Sequence, residues 1–203
     1  MKVSNNYWTH NVAYHNWVLK QIKNNDVVLD VGCGDGLLVQ KISSLCKKVT
    51  GIEVDFPCVQ KANKRIENIS NAKIIKSSFE KADIKQGSID VIVFVASIHH
   101  MDMQCAIKKA KSLLAPNGRI IIVGCAKSER IFDIFLDMIR VIPAKIGSIV
   151  HGEKNGGLIG VPTKSPQLSY REVYNIIFRC LRGAKIRRGL YYRYLMTWDN
   201  IDT

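Results

Sequence analysis

Short apolar runs alternate with helix-like segments along most of this chain, and no other feature restricts its fold as strongly. Five runs rich in β-branched residues occur at positions 27–31, 49–54, 72–76, 89–95 and 119–124. Such runs are typical of strands buried on both faces of a parallel sheet. Between them, apolar residues recur at three- and four-residue spacing, as in amphipathic helices, over residues 37–45, 57–68 and 103–114. The alternation predicts βαβ units with right-handed crossovers, and therefore an α/β fold with a doubly wound, mostly parallel sheet and helices on both faces.

The length of the chain predicts a single domain over residues 1–203. With 203 residues, 47% of them hydrophobic, the chain can bury one good core but not two full-sized ones. Residues 1–25, which are rich in aromatic side chains, are expected to form a helical cap with a helix over residues 11–23.

The last third of the chain predicts two helices, a long loop and a closing strand. An apolar stripe predicts a helix over residues 128–142, and the capping box of Ser169 and Glu172 opens another. The glycine-rich stretch 144–168 is predicted to be a loop on the substrate side, because loops this long in a compact domain are usually functional. Residues 191–198 are predicted to form a strand.

The composition indicates neither a membrane segment nor a framework of metal ligands or disulfides. Every apolar run falls well short of the roughly 20 residues that cross a bilayer, and the first residues lack a signal-peptide core. The six cysteines form no CxxC pair, and several lie in apolar patterns where a thiol behaves as a small hydrophobe. We expect a cytoplasmic protein with no membrane association, no metal site and no disulfides.

The chain is strongly basic, with 30 Lys and Arg against 17 Asp and Glu and a net charge of +13. This excess favours nucleic acid, an anionic membrane surface or an acidic substrate, but a lysine-rich solvated surface explains it equally well. The basic residues concentrate in a C-terminal basic cluster of Arg179, Arg182, Lys185, Arg187, Arg188 and Arg193. We expect this cluster to be the solvated face of the last helix and hairpin, with contact to an anionic substrate as the alternative.

A glycine loop lies where the first predicted strand ends and the next helix begins. It reads Asp-Val-Gly-Cys-Gly-Asp-Gly-Leu over residues 30–37. Glycines at this point allow a tight turn and let backbone N–H groups approach a ligand at the helix N-terminus. Glu53, seventeen residues past Gly36, ends the second strand, where a carboxylate can accept both hydroxyl protons of a ribose. Together the two features predict a nucleoside site.

The spacing of the loop argues against a dinucleotide. A GxGxxG motif needs glycine at its sixth position, but Leu37 stands there and Gly36 occupies the fifth. Asp30 and Asp35 would repel a pyrophosphate and suit a ligand that carries an ammonium and a sulfonium. We therefore expect a ligand that is cationic near the loop.

On these residues the chain resembles the class I S-adenosylmethionine-dependent methyltransferases, in particular small bacterial members whose substrate is unassigned. Residues 27–38 resemble the first motif of the family, 49–55 its second, 89–100 its fourth and 113–122 the turn into its fifth strand. The resemblance implies a Rossmann-like sheet, S-adenosyl-L-methionine as cofactor and S-adenosyl-L-homocysteine as product.

The resemblance also implies which residues contact the cofactor. Gly32, Cys33, Gly34 and Gly36 would line its methionine portion, with Glu53 on the ribose and Val54 against the adenine. The remaining cofactor contacts are expected from Tyr14, His15, Asp30, Leu37, Phe94 and Ala96. The segment of Tyr14 and His15 often folds over the cofactor in this family, although a helix packing its aromatics on the sheet is the alternative.

One position departs from the family pattern. An aspartate that receives the adenine amino group often follows the third strand, but Ser78 and Phe79 occupy that region here. We expect Ser78 or the nearby backbone to take its place, with Phe79 packing on the adenine ring or belonging to the core.

Two histidines follow the fourth predicted strand. Methyl transfer needs an in-line approach of the acceptor and removal of one proton. His99 and His100 lie at the carboxyl edge of the sheet, where such folds bind ligands, and either imidazole can act as a base near neutrality. The alternative is that the pair hydrogen-bonds the backbone and shapes the start of the next helix.

Three functions are compatible with these features. The first is methyl transfer to an oxygen or nitrogen of a small molecule, and the second is methylation of RNA or another polyanion. Against the second, residues 94–98 hold no Asn/Asp-Pro-Pro-Tyr/Phe segment, and the chain has no Pro-Cys nucleophile. The third is a non-catalytic protein that binds S-adenosylmethionine. The sequence leaves the acceptor, the methylated atom and the oligomeric state open.

Overall fold

A computed structural model describes residues 9–127, 165–190 and 193–201. In these residues seven strands form one sheet: β1 (Val27–Val31), β2 (Lys48–Glu53), β3 (Ala72–Lys76), β4 (Ile89–Val95), β5 (Leu114–Cys125), β6 (Lys185–Arg188) and β7 (Arg193–Asp199). The spatial order is β3-β2-β1-β4-β5-β7-β6. Strands β1 to β5 are parallel, whereas β7 runs antiparallel to both β5 and β6. The predicted α/β fold with a mostly parallel, Rossmann-like sheet is confirmed.

In the described part of the chain, five α-helices connect and cover the strands. They are α1 (His15–Leu19), α2 (Leu37–Ser43), α3 (Phe56–Ile66), α4 (Met103–Leu113) and α5 (Tyr170–Cys180). Asp55 and Asp102 cap α3 and α4 by accepting the backbone N–H of the residue three positions on, at 3.0 and 2.7 Å. The predicted capping box at Ser169 and Glu172 begins α5.

The core lies in two layers, one on each face of the sheet. Side chains alternate along the strands, so Ile92 and Phe94 face one layer while Val91 and Val93 face the other. Helices α4 and α5 complete the first layer, with Ile107 and Ile177 fully buried. Helices α1, α2 and α3 complete the second. The carboxyl ends of the parallel strands lie at one edge of the sheet, between the two layers.

The structure differs from the sequence prediction at three elements. The helix expected over residues 11–23 is instead a 3₁₀ turn, Val12–Tyr14, followed by α1, which ends at Leu19. Beyond α1 the backbone forms turns, and the Asp26 carboxylate accepts the N–H of Lys23. Strand β5 begins before the predicted turn at 116–118, which forms an irregularity in its pairing with β4. Strand β6 was expected only as part of a hairpin without bounds, since a charged edge strand such as Lys185–Arg188 carries little apolar alternation.

Parts of the cap and the substrate-side region lie outside the described residues. These are the first eight residues, the predicted helix 128–142 and most of the predicted loop 144–168. Beyond that gap the chain returns to the sheet edge, where the N–H of Lys127 donates to Leu168 O at 2.8 Å. None of the helices among the described residues is long and apolar enough to cross a bilayer.

Candidate active site

A cavity of about 540 Å³ lies at the carboxyl edge of the sheet and is bordered on one side by the N-terminal segment, residues 9–15. It is bordered by the glycine loop, the ends of β2, β3 and β4, and the first residue of β7. The structure places eleven of the predicted site residues on its wall: His15, Asp30, Gly32, Cys33, Gly34, Leu37, Glu53, Val54, Phe79, Ala96 and His100. Residues from four separate strand ends thus meet at one site.

Two glycines of the loop, Gly32 and Gly34, are needed for different reasons. Gly32 and Gly34 both adopt positive φ, at 74° and 54°. A Cβ at Gly32 would lie 2.5 Å from the Cβ of Ser97, so packing against the end of β4 forbids a side chain there. A Cβ at Gly34 would meet nothing within 4 Å, because this residue faces the open cavity. Gly34 therefore leaves room for a ligand to reach the backbone.

A buried ion pair fixes the loop to α3. Arg65 Nη2 lies 2.6 Å from Asp35 Oδ2, and the two side chains are 1% and 9% exposed. Arg65 Nε also donates to the Asp35 carbonyl at 2.9 Å, and Asp35 Oδ1 accepts the N–H of Leu37 at 3.3 Å. Because Arg65 balances the charge of Asp35, the prediction that an acidic side chain of the loop faces the ligand's positive charge now rests on Asp30.

Asp30 is a buried carboxyl group on the cavity wall. Asp30 is 2% exposed. Burial is the larger cause, and the nearby charge of Glu53 the smaller one, of a rise in its pKa to about 7. Among the described residues, its Oδ2 atom has no hydrogen-bond partner. A buried carboxyl oxygen without a partner is costly, so this atom is suited to a positively charged donor that enters the cavity.

Glu53 is held in place by three backbone donors. Its Oε2 accepts the N–H of Gly34 at 2.9 Å, and its Oε1 accepts those of Val54 and Asp55 at 2.8 and 2.9 Å. These bonds join the end of β2 to the glycine loop and orient the carboxylate beside the cavity. Val54 is 61% exposed at the cavity rim, where a flat apolar ligand can cover it.

His15, the first residue of α1, lies on the cavity wall. It is 5% exposed, and burial, followed by the charge of Lys41, lowers its pKa to about 3. The imidazole is therefore neutral at physiological pH. Its buried Nδ1 has no hydrogen-bond partner among the described residues.

The remaining five predicted residues do not line the cavity. The Tyr14 hydroxyl donates to Leu190 O at 2.7 Å and ties the N-terminal segment to the β6–β7 hairpin. Gly36 packs on Ala62 of α3, and Phe94 is fully buried in the core with an edge-to-face contact to Phe79. Ser78 stabilises a turn, and its neighbour Ser77 takes the position on the wall.

The two histidines after β4 have different positions. They belong to a 3₁₀ turn, Ile98–His100, and their ring centroids are 4.2 Å apart. His100 is exposed on the cavity wall, whereas His99 is half-buried and does not line the cavity. Of the two predicted bases, only His100 has direct access to the cavity.

Several cavity residues were not predicted as site residues. They are contributed by the N-terminal segment, the ends of β3 and β4, and β7, and include Thr9, Ser77, Ser97, Met101 and Arg193. Ser97 lies two residues past β4, so its place at the carboxyl edge was a usable signal. Arg193 was grouped with the C-terminal basic cluster, for which contact with an anionic substrate was the alternative prediction.

The C-terminal basic cluster is divided among several environments. Arg187 lies 6.0 Å from the ring centroid of Trp17, and Arg188 lies 4.3 Å from that of Tyr170, so both make cation–π contacts. Arg193 instead lines the cavity and donates to Asn11 Oδ1 at 2.7 Å. The cluster is therefore not one continuous solvated face.

The sequence is similar to those of known methyltransferases. Residues 29–122 match the family described as methyltransferase domain. An uncharacterized methyltransferase of Mycobacterium tuberculosis is 26% identical over 194 residues, which cover 94% of this chain and 96% of that protein. A probable ribosomal RNA small subunit methyltransferase A of Methanococcus vannielii is 36% identical over 83 residues, covering 38% and 31% of the two chains.

Solved structures share the fold at low sequence identity. A SAM-dependent methyltransferase from Aquifex aeolicus superposes with a TM-score of 0.64 at 19% identity, over 92% of this chain and 89% of that chain. The N-methyltransferase NodS from Bradyrhizobium japonicum, in complex with S-adenosyl-L-homocysteine, gives 0.64 at 17% identity, over 94% and 87%.

The fold, the site and these matches support one class of protein. The chain resembles the class I S-adenosylmethionine-dependent methyltransferases, which are enzymes with S-adenosyl-L-methionine as cofactor. The same matches favour an enzyme over the alternative of a non-catalytic binding protein.

Proposed function

We propose that this enzyme transfers a methyl group to an oxygen or nitrogen of a small molecule. The observation that carries the proposal is the cavity of about 540 Å³ between the glycine loop and Arg193. Its volume falls within the range of roughly 300–1,000 Å³ typical of small-molecule sites. The wall continues past β4 to β7, and we propose that the acceptor binds at this end, beside the cofactor.

The cavity fits the cofactor at two points of the structure. Gly34 opens on the cavity, and Asp30 presents a buried oxygen without a partner in the described chain. When bound, S-adenosylmethionine supplies a methyl group on a positively charged sulfur. We infer that Asp30 faces the positive charge, that Glu53 accepts the ribose hydroxyls, and that Phe79 borders the adenine.

Binding of S-adenosylhomocysteine is expected to strengthen about tenfold between pH 6 and pH 8. The pKa of Asp30 is about 7, so its carboxyl group is mostly protonated at pH 6 and ionised at pH 8, where it attracts the ligand's ammonium. Asp30→Asn should bind more weakly at pH 8 and lose this pH dependence. Calorimetric titration at several pH values measures both. An unchanged pH profile in Asp30→Asn would assign the titration to another group.

The same carboxyl group makes folding stability depend on pH. Its pKa is raised in the folded state, so between the ordinary value of 3.8 and about 7 the folded protein retains a proton that the unfolded chain releases. The contribution of Asp30 to the free energy of unfolding therefore decreases as pH rises through this window. The decrease should be absent from Asp30→Asn.

We propose His100 as the base that receives the acceptor's proton, because it is the histidine of the pair that borders the cavity. His100→Asn is expected to lower kcat by about 100-fold, the lower end of typical general-base contributions, with the affinity for S-adenosylhomocysteine unchanged. His99→Asn is the matched control from the same 3₁₀ turn. Equal losses in both variants would indicate a structural role for the pair.

The proposed function is tested by locating the transferred methyl. The enzyme is incubated with methyl-labelled S-adenosylmethionine and a cell extract separated into small-molecule filtrate, RNA and protein. We expect the label in the filtrate. Label confined to RNA or protein would overturn the proposal.

A second candidate acceptor is RNA. It is favoured by the net charge of +13 and by the partial match to a ribosomal RNA methyltransferase. Phosphate contacts would make RNA affinity fall steeply with salt. A filter-binding assay at two salt concentrations tests this candidate, and absence of salt-dependent binding would remove it.

A further inference from the structure

We propose that the methyl acceptor carries a carboxylate or phosphate group and that Arg193 binds it. This inference rests on the proposed function, because it concerns the class of small molecule that enters the cavity beside the cofactor. It makes Arg193 a residue that determines specificity.

The first argument is the position of Arg193 along the sheet. In the order β2, β1, β4, β5, β7, the carboxyl edge carries Glu53, then Asp30, then His100, and finally Arg193. Strand β7 is antiparallel, so its first residue lies at this edge, paired with Cys125 at the end of β5. The acidic groups and the arginine thus occupy opposite ends of one cavity.

The second argument is how charge is distributed over the cavity wall. In the part of the chain that the structure describes, Arg193 is the lining residue with a permanent positive charge. Asp30 and Glu53 favour a cationic group at their end and disfavour an anionic one. An anionic group in the cavity is therefore most stable at the β7 end, beyond the proposed base.

The third argument is that Arg193 is held in position. Its Nη2 and Nε atoms donate to Asn11 Oδ1 at 2.7 and 3.3 Å, and Asn11 also lines the cavity. These two bonds orient the guanidinium at the cavity wall. A planar guanidinium held in this way suits charge-assisted binding of a carboxylate or phosphate.

The test compares Arg193→Gln and Arg193→Lys with Arg187→Gln, a control in the C-terminal basic cluster whose side chain lies at Trp17. The small-molecule filtrate is first separated on an anion exchanger, and each fraction is incubated with labelled S-adenosylmethionine. We expect label in the retained fraction. Arg193→Gln should reduce kcat/KM for that acceptor roughly 10- to 100-fold, the value of a hydrogen bond to a charged group. Arg193→Lys should retain part of the activity, and Arg187→Gln should match the wild type.

A second measurement separates the acceptor from the cofactor. Affinities for S-adenosylhomocysteine and for 5′-methylthioadenosine, which lacks the amino-acid portion, should be unchanged in Arg193→Gln. Selective weakening of S-adenosylhomocysteine would show that Arg193 binds the cofactor's own carboxylate and would overturn the inference. Phosphatase treatment of the retained fraction distinguishes the two anions, since only a phosphorylated acceptor loses activity.

Failure of the inference differs from failure of the proposed function. Label in small molecules that pass through the anion exchanger would contradict the anionic acceptor and keep the small-molecule function. Wild-type activity of Arg193→Gln would do the same. Label confined to RNA or protein would overturn both.

Discussion

Gly34→Ala is expected to weaken binding of S-adenosylhomocysteine by about 10- to 100-fold while the protein stays folded. Gly34 lines the cavity and a Cβ there would meet no protein atom within 4 Å, so the added methyl group takes space that is open to the ligand. Forcing one extra carbon into a packed site typically costs about 1–3 kcal/mol, which is roughly 5- to 150-fold in affinity. The positive φ of 54° adds a strain of about 1–2 kcal/mol to the folded state.

Gly87→Ala is the matched control for this substitution. Gly87 also has a positive φ, at 63°, and a Cβ there would also meet nothing within 4 Å, but it lies before β4, outside the cavity. Both variants should lose a similar amount of stability in chemical denaturation, and only Gly34→Ala should lose ligand binding. Equal affinities in the two variants would show that the ligand does not approach the loop at Gly34.

Arg65→Met is expected to reduce the free energy of unfolding by about 3–5 kcal/mol. The substitution leaves the carboxylate of Asp35, whose side chain is 9% exposed, without its ion-pair partner, and breaking a buried pair from one side typically costs this much. For a chain of this size the loss corresponds to a fall in Tm of roughly 6–20 °C. Denaturant unfolding followed by circular dichroism measures it.

Lys64→Ala provides the comparison on the same helix. Lys64 is exposed on α3, so its removal should change stability by no more than about 0.5 kcal/mol. Adding Asp35→Asn to Arg65→Met should restore part of the lost stability, because the buried charge is then removed. A loss below about 1 kcal/mol in Arg65→Met would show that the pair contributes little to the fold.

The sequence was sufficient for the parts of the site that are local in the chain. Asp30 lies near the end of one strand, Gly32, Gly34 and Leu37 follow that strand, and Glu53 ends the next. A single βα unit and its neighbour therefore bring them together. The same locality explains why His100 was predicted beside the cavity. Among the predicted residues, Phe94 lies in the core because it is still within β4, whereas Ala96, just past the end of that strand, reaches the wall.

Contacts between distant parts of the chain decided the rest. Arg193 bonds Asn11 across 182 positions, Tyr14 reaches Leu190 across 176, and Arg65 pairs with Asp35 across 30. Apolar patterning specifies which face of a strand is buried, but it does not specify which strands become neighbours.

The opening alternation of apolar runs and helices therefore determined the fold class, and the glycine loop with Glu53 determined the kind of cofactor. The position of β7 between β5 and β6 depends on tertiary contacts. The antiparallel pairing at that edge is stabilised by side chains from both ends of the chain, so the order of the strands could not be read from the local sequence. That position of β7 moves Arg193 from a basic stretch of sequence onto the wall of the cavity. The residue on which we base acceptor recognition is thus a product of the tertiary structure.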